Sequence, residues 1–306
     1  MTPALVVGAG SIGRRHARVL TEMGLDVAVV SRRDVAARRR FAGLAEALAQ
    51  HRPDYVVIAN ETARHRETLA ALDDLDYVGT VLVEKPLFEA SEPAYRSPNP
   101  RVFVAYNLRF HPLLQRLLEL VAAAEVVSVE VHVGQHLPSW RPGRDYRTTY
   151  SARADLGGGV LRDLSHELDY VVWLFGGWRR LSALGTRSGA LEIDSDDMCS
   201  LLMTCERCPI VTVTMNYLDR RARRQILVNT KADTILVDLI AGTIESGERP
   251  DRESVTIDRD FTYRAEHEAL LCGTSDAVCS FDEGLEIVRM IEAAERAASD
   301  GTWIER

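Results

Sequence analysis

The chain has 306 residues, 46% hydrophobic and 27% charged, enough to bury one large or two ordinary cores and too apolar for a disordered protein. A net charge of −8 argues against a general nucleic-acid scaffold or a binder of anionic membranes, and no stretch reaches the roughly 18 apolar residues that a membrane span needs. With no basic leader region in MTPALVVGAG and an odd, scattered set of five cysteines, the expectation is a cytoplasmic protein with reduced thiols that acts on small molecules. The first hundred residues alternate short apolar runs with helical patterns: strands at Ala4–Val7, Val27–Val30, Tyr55–Ala59 and Val81–Val83, helices from about Ile12 to Met23 and from about Arg64 to Leu72. Buried runs separated by helices predict βαβ units and a doubly wound parallel sheet. The irregular stretch Glu89–Pro100 leads to a further strand at Val102–Tyr106, so a first domain is expected over residues 1–111.

A helix from Pro112 to about Ala124 is followed by alternating strands at Val126–Gln135, Met198–Cys205, Ile210–Tyr217, Gln225–Thr230, Thr234–Val237 and Ser254–Ile257. Strands following strands predict a second, α+β domain over 112–280 with a large, mostly antiparallel open sheet. Leu285, Val288, Ile291 and Ala294 share one face of a last helix, expected at 281–306 and expected to pack back on the first domain.

Gly8-Ala9-Gly10-Ser11-Ile12-Gly13 follows the first strand directly and opens a helix. In that setting Gly8 makes the turn, Gly10 lets backbone approach a pyrophosphate and Gly13 packs helix on strand. The second strand runs into Ser31-Arg32-Arg33, where an NAD site usually carries an acid for the ribose hydroxyl. A hydroxyl and two guanidinium groups suit a 2′-phosphate instead, so NADP is preferred, with NAD and a ribose contact from Asp34 as the alternative.

Glu84-Lys85-Pro86 ends a strand of the first sheet, and such strand ends face the ligand crevice. Only Lys85 and Lys231 are lysines among 37 basic residues, and Lys, unlike Arg, can lose its proton. Further on, Gly157–Gly159 is followed by a helix to about Leu174 in which Asp163, His166 and Asp169 recur every three residues and share a face. Together GAGSIG, EKP, YNLRFHP and GGGVLRD followed by His and Asp resemble the glucose-fructose oxidoreductase / inositol dehydrogenase / rhizopine-catabolism (Gfo/Idh/MocA) family. Within it the likeness is to oxidoreductases found with sialic-acid-like sugar biosynthesis. The resemblance implies NAD(P)-dependent hydride transfer at a sugar carbon and homodimers or homotetramers assembled through the second sheet. It also matches Lys85, Asp163 and His166 to the family's lysine, aspartate and histidine, although two residues separate that Asp and His here where the family commonly has three. In an unbroken helix the difference rotates one side chain by about 100°, which leaves the main proton-transfer group open between His166 and Lys85.

A histidine titrates nearer neutrality than a lysine. His166 is therefore assigned as acid/base, Asp163 as its orienting group and Lys85 as the group that polarises the reacting oxygen. Asn60, His65 and Glu84 are expected to join the glycine turn and Ser31 to Arg33 at the cofactor. Asn107, Arg109, Trp140, Arg144 and Tyr146 join Lys85, Asp163 and His166 at a sugar-type substrate, which the arginine-rich segment His136–Arg153 suggests is anionic. Cys205-Glu206-Arg207-Cys208 has no second ligand pair at zinc spacing and reads as a hairpin tip, so no metal is expected. The run Arg220, Arg221, Arg223, Arg224 reads as a solvated strand edge. The rival to an enzyme is a dinucleotide-binding regulator on the same fold, which would have no need of an acid/base set.

Overall fold

The structure, a computed structural model, describes all residues except 35–36, 92–94, 248–250 and 274–275; part of the irregular Glu89–Pro100 stretch therefore lies outside the described residues. The chain begins with β1 (Pro3–Val7), α1 (Ser11–Glu22), β2 (Asp26–Val30), β3 (Arg39–Phe41), α2 (Leu44–His51), β4 (Tyr55–Ile58), α3 (His65–Asp74), β5 (Thr80–Val83) and β6 (Val102–Val104). It continues with α4 (Pro112–Val121), β7 (Val126–Gly134), α5 (Val160–Asp163), α6 (His166–Phe175), β8 (Trp178–Thr186), β9 (Met198–Cys205), β10 (Cys208–Asn216), β11 (Arg223–Thr230), β12 (Thr234–Asp238), β13 (Thr243–Ser246) and β14 (Asp251–Ser254). The last segment carries α7 (Phe261–Cys272), β15 (Cys279–Ser280), α8 (Phe281–Asp300) and β16 (Ile304–Glu305).

Two compact units result, residues 1–110 with 258–288 and residues 111–257 with 289–306. This differs from the expected boundaries at 112–280 and 281–306, because α7, β15 and the start of α8 belong with the first unit. The sequence reading missed α7 altogether. Its buried residues are Thr262, Glu266, His267 and Leu270, so the face turned inward is mostly polar and leaves no apolar stripe to read.

The first unit holds a seven-stranded sheet in the order β15-β6-β5-β4-β1-β2-β3, parallel throughout except for β15 against β6. All residues of β4 and β5 are buried, as expected of strands covered on both faces. β3 is only three residues long, RRF, and α2 buries only Ala47 and His51, so neither presents a periodic apolar stripe to read. On α1, Gly13, His16, Val19 and Leu20 make up the buried stripe, and on α8 Leu285, Val288, Ile291 and Ala294 are buried as the periodicity predicted.

The second unit holds a nine-stranded sheet in the order β14-β13-β12-β11-β7-β10-β9-β8-β16. It is antiparallel except where β10 runs parallel to β7, Val211 opposite Val129; the connection between those strands contains α5 and α6. The expected strand at Ser254–Ile257 is displaced to β14, which ends at Ser254. β8 went unpredicted because an irregularity between Trp178 and Arg180 sends Arg179 and Arg180 outward in succession and breaks the alternation. Cys205 and Cys208 do face each other across the β9–β10 hairpin tip.

Arg224 departs from the solvated edge expected of its run. Its Nε and Nη2 donate to Glu167 Oε1 and Oε2 at 2.6 and 3.0 Å, and the Glu167 side chain is 0% exposed. The Tyr170 hydroxyl adds a longer bond of 3.4 Å. Removing one partner of such a pair strands a buried charge. Arg224→Met is therefore expected to cost about 3 to 5 kcal/mol in denaturant unfolding, and a loss under about 1 kcal/mol would show that water reaches Glu167.

Candidate active site

The turn after β1 is built around missing side chains. Gly8 sits at φ +107°, and a Cβ there would lie 2.5 Å from the Ala59 carbonyl oxygen. A Cβ on Gly13 would lie 2.1 Å from the carbonyl oxygen of Gly8, so both positions require glycine. Gly10 has the opposite environment: nothing lies within 4 Å of where its Cβ would be, and that open space adjoins the first turn of α1. No side chain caps α1, which leaves the first-turn N–H groups, including those of Ser11, Ile12 and Gly13, facing outward at the positive end of the helix dipole. An open pocket of about 350 Å³ beside them is lined by Ser11, Arg14, Arg15, Arg18, Arg259 and Asp260. These features fit a dinucleotide: the glycine turn and free N–H groups would hold its pyrophosphate.

Ser31 follows directly on β2 and is 8% exposed. Its hydroxyl accepts the Arg33 N–H at 3.0 Å and so shapes the turn. Arg32 and Arg33 are exposed and have no carboxylate partner among the described residues. Beyond β4, Asn60 Nδ2 donates to Thr68 Oγ1 at 2.7 Å, while its buried Oδ1 has no hydrogen-bond partner among the described residues. Such an atom is one a ligand donor can satisfy.

Glu84 and Lys85 follow β5 on the sheet edge that also carries the glycine turn, since β1, β4 and β5 run parallel. Glu84 was expected to touch cofactor, but its carboxylate turns inward. Oε1 lies 2.7 Å from His16 Nε2 and Oε2 accepts the Lys85 backbone N–H at 3.1 Å. Burial disfavours its charge, yet the hydrogen bond from His16, with Lys85 beside it, more than compensates and holds the carboxyl below its usual range. His65 is likewise committed elsewhere. Its Nδ1 lies 3.2 Å from the carbonyl oxygens of Pro86 and Leu87 and its Nε2 3.3 Å from that of Asn60, so it ties the two loops together; burial lowers its pKa.

Two expected substrate residues have partners within the first unit. Asn107 donates to Thr262 Oγ1 at 2.7 Å. Arg109 is 1% exposed and pairs with Glu283 at 2.9 Å. That ion pair ties the guanidinium to helix α8.

In the second unit the helix expected to run unbroken through Asp163, His166 and Asp169 is two helices. Asp163 is the last residue of α5, Leu164 and Ser165 interrupt it, and His166 opens α6. Side-chain directions argued from one continuous helix therefore do not hold. Asp163 is buried and accepts the Tyr217 hydroxyl at 2.6 Å, and Tyr150 hydrogen-bonds the same carboxylate. Burial and the Asp163 charge hold the Tyr217 phenol well above its ordinary pKa, so it stays a donor. The Trp140 ring meets Tyr217 edge-on at 5.2 Å, while its Nε1 donates to the Gln135 carbonyl at 3.1 Å.

The arginine-rich segment sorts itself by partner. Arg147 pairs with Asp145 and Glu192, and Arg153 with Asp155 and Asp194. Arg141 and Arg144 have no carboxylate partner among the described residues and line, with Trp140 and Tyr146, a cavity of about 10 Å³. That volume has room for one water and no more.

Sequence reasoning missed Tyr217 and Tyr150 at Asp163, and His16 at Glu84. Nothing local to the tyrosines signals the carboxylate. His16 was detectable as the one polar side chain on the otherwise apolar Gly13-His16-Leu20 stripe.

Residues 3–96 match the family model described as oxidoreductase family, NAD-binding Rossmann fold, and residues 113–235 match that of the GFO/IDH/MocA C-terminal domain. The comparison with curated proteins gives no match. Among solved structures, the chain is similar to GenD2 from gentamicin A biosynthesis in complex with NAD, at 24% identity over 100% of this chain and 96% of that one with a TM-score of 0.79. It is similar also to the WlbA dehydrogenase of Bordetella pertussis in complex with NADH and UDP-GlcNAcA, at 19% identity over 100% and 97% with a TM-score of 0.79. A levoglucosan dehydrogenase in complex with NADH shares 16% identity over 99% and 98% with a TM-score of 0.83. No helix among the described residues is long and apolar enough to cross a membrane. Glycine turn, parallel sheet, second sheet and both family models agree: the chain belongs to the Gfo/Idh/MocA family of oxidoreductases, with an N-terminal Rossmann domain that binds a nicotinamide dinucleotide.

Proposed function

We propose that the protein is a cytoplasmic, NADP-preferring dehydrogenase or reductase that interconverts a carbinol and a carbonyl carbon on a sugar acid or a nucleotide-linked sugar. The observation that carries the reading is the position of Lys85, one of only two lysines, directly after β5 on the strand-end edge that bears the glycine turn. Such edges are where ligands of doubly wound sheets bind.

A bound nicotinamide supplies the hydride in reduction and takes it in oxidation. The imidazole of His166 takes the hydroxyl proton as the carbonyl forms and returns it in the other direction, a task suited to a group that titrates near neutrality. The Lys85 ammonium hydrogen-bonds the reacting oxygen and stabilises the negative charge that builds there. Asp163, held by Tyr217 and Tyr150, orients His166.

The 2′-phosphate assignment rests on Arg32 and Arg33, exposed and without carboxylate partners beyond β2. An anionic substrate is supported by Arg141 and Arg144, which keep their charge in a segment where the neighbouring arginines are neutralised. Similar proteins provide further support, since WlbA was crystallised with UDP-GlcNAcA and a levoglucosan dehydrogenase with levoglucosan.

NADPH is expected to bind at least about tenfold more tightly than NADH by fluorescence titration, because each charged hydrogen bond contributes roughly 1.5 to 3 kcal/mol. Arg32→Ala with Arg33→Ala should abolish the difference; equal affinities in the unaltered chain would return the ribose to Asp34. Lys85→Ala and His166→Ala should each lower turnover by about 10² or more while cofactor affinity stays within about twofold. If both variants turn over at the normal rate, the catalytic assignment is wrong. In thermal-shift screens with NADP present, sugar acids and sugar nucleotides should raise the melting temperature, and Arg141→Ala with Arg144→Ala should remove that shift. Stabilisation by neutral sugars alone, unchanged in the double variant, would exclude an anionic substrate.

A further inference from the structure

Beneath the Glu84-Lys85 turn lies a chain of buried polar groups that the proposed reaction does not use. His16 Nε2 is 2.7 Å from Glu84 Oε1, His16 Nδ1 is 2.9 Å from His267 Nε2, and His267 Nδ1 is 2.8 Å from the Tyr55 hydroxyl. His16 and His267 are 0% exposed and Tyr55 is 1% exposed. The four residues come from α1, β4, the turn after β5 and α7, all within the first unit.

Donor and acceptor counting gives the chain a direction. An ionised carboxylate only accepts, so the hydrogen of His16 resides on Nε2. Its Nδ1 is then bare and accepts from His267 Nε2–H, and His267 Nδ1 in turn accepts from the Tyr55 hydroxyl. Every hydrogen points toward Glu84, and the chain carries a single charge, on that carboxylate. The reverse arrangement would need a charged His16 donating through both nitrogens. It would turn His267 Nδ1–H onto Tyr55 and leave the phenol hydrogen without that acceptor in a buried site, which is costly. Burial also keeps His267 far from its charged form.

The groups around the chain reinforce this direction. The Tyr263 ring meets His16 edge-on at 5.4 Å, and the Arg15 guanidinium over that ring is neutralised by Asp260. Glu266 and Tyr77 act on Tyr55 and, with burial, favour its protonated form. His65 lies within the field of Glu84 but is lowered by burial. Lys85 is the remaining cation beside Glu84.

We infer that His16 and His267, with Tyr55, are positioning residues that keep Glu84 ionised under Lys85 and thereby set both the backbone and the charge of that lysine. The inference rests on Lys85 meeting the reacting oxygen, and it extends the site into α7, a helix with no motif of its own. A negative Glu84 favours the ammonium form of Lys85. Loss of the His16 donor lets the buried carboxyl take up a proton, after which Lys85 loses its counter-charge.

With only Lys85 and Lys231 present, reductive ¹³C-methylation of the full chain and an NMR pH titration follow Lys85 directly, its signal assigned with Lys85→Arg. In His16→Leu the Lys85 midpoint should fall by about one unit, a tenfold change in its acid constant. His16→Gln, whose amide can still donate to Glu84, should restore most of it, and His267→Leu should give a smaller shift of the same sign. An unchanged Lys85 midpoint in folded His16→Leu would overturn the inference. Should that variant not fold, ¹⁵N-histidine spectra of the unaltered chain decide: both rings should be neutral with hydrogen on Nε2, and hydrogen on Nδ1 of either would overturn it. If Lys85→Ala turned over normally while the Lys85 midpoint moved as expected, the positioning chain would stand and only the catalytic role of the lysine would fall.

Discussion

The contact between Gly13 and the carbonyl of Gly8 sets how closely α1 docks on the first sheet. With no room for a Cβ at either residue, α1 docks against β1 more closely than any side chain would permit. That closeness has two consequences on the same helix. At its N-terminus the uncapped N–H groups open onto space that a phosphate can enter. One turn further on, His16 is pressed into the core, where a polar side chain persists only if it is fully hydrogen-bonded. Its partners are a carboxylate on one side and a second histidine on the other, so a steric requirement for glycine becomes an electrostatic arrangement under the Glu84-Lys85 turn.

Charge in this arginine-rich chain is informative mainly through what neutralises it. Arg109 is buried and pairs with Glu283, and Arg224 pairs with the fully buried Glu167, a carboxylate that would be costly to leave alone. Arg147 and Arg153 lie on the surface with two acids each, pairs that add little to stability but cancel the local field. Arg32, Arg33, Arg141 and Arg144 lack such partners among the described residues. A protein of net charge −8 has acids to spare, and those acids leave unpaired the arginines next to the second-strand turn and to Trp140.

Much of the fold was legible because its signals are local. The fully buried runs of β1, β4 and β5, the glycine turn and the apolar stripe of α8 each declare themselves within a dozen residues. The strands of the second sheet mostly alternate, and irregularities break the pattern at Arg179 and Arg180 in β8 and between Cys208 and Val211 in β10. α7 was not legible, because Glu266 and His267 occupy its buried face and an apolar period cannot be read from residues buried for their hydrogen bonds. The same difficulty hid the partners of the site: Tyr217 is 54 positions from Asp163 and His267 is 251 from His16.

Sequence alone determined the family and the Rossmann turn, since each stands in short motifs whose spacing carries its meaning, and it singled out Lys85, Asp163 and His166 for the proposed chemistry. Only the tertiary structure decided which polar residues are already satisfied. Glu84, His65, Asn107 and Arg109, expected as ligand contacts, have partners within the protein in His16, backbone carbonyls, Thr262 and Glu283. It also decided that the helix carrying Asp163 and His166 is broken between them. The physical reason is that a hydrogen bond is a relation between two places in space, and spacing along a chain specifies the second place only when it lies within a turn or two of the first.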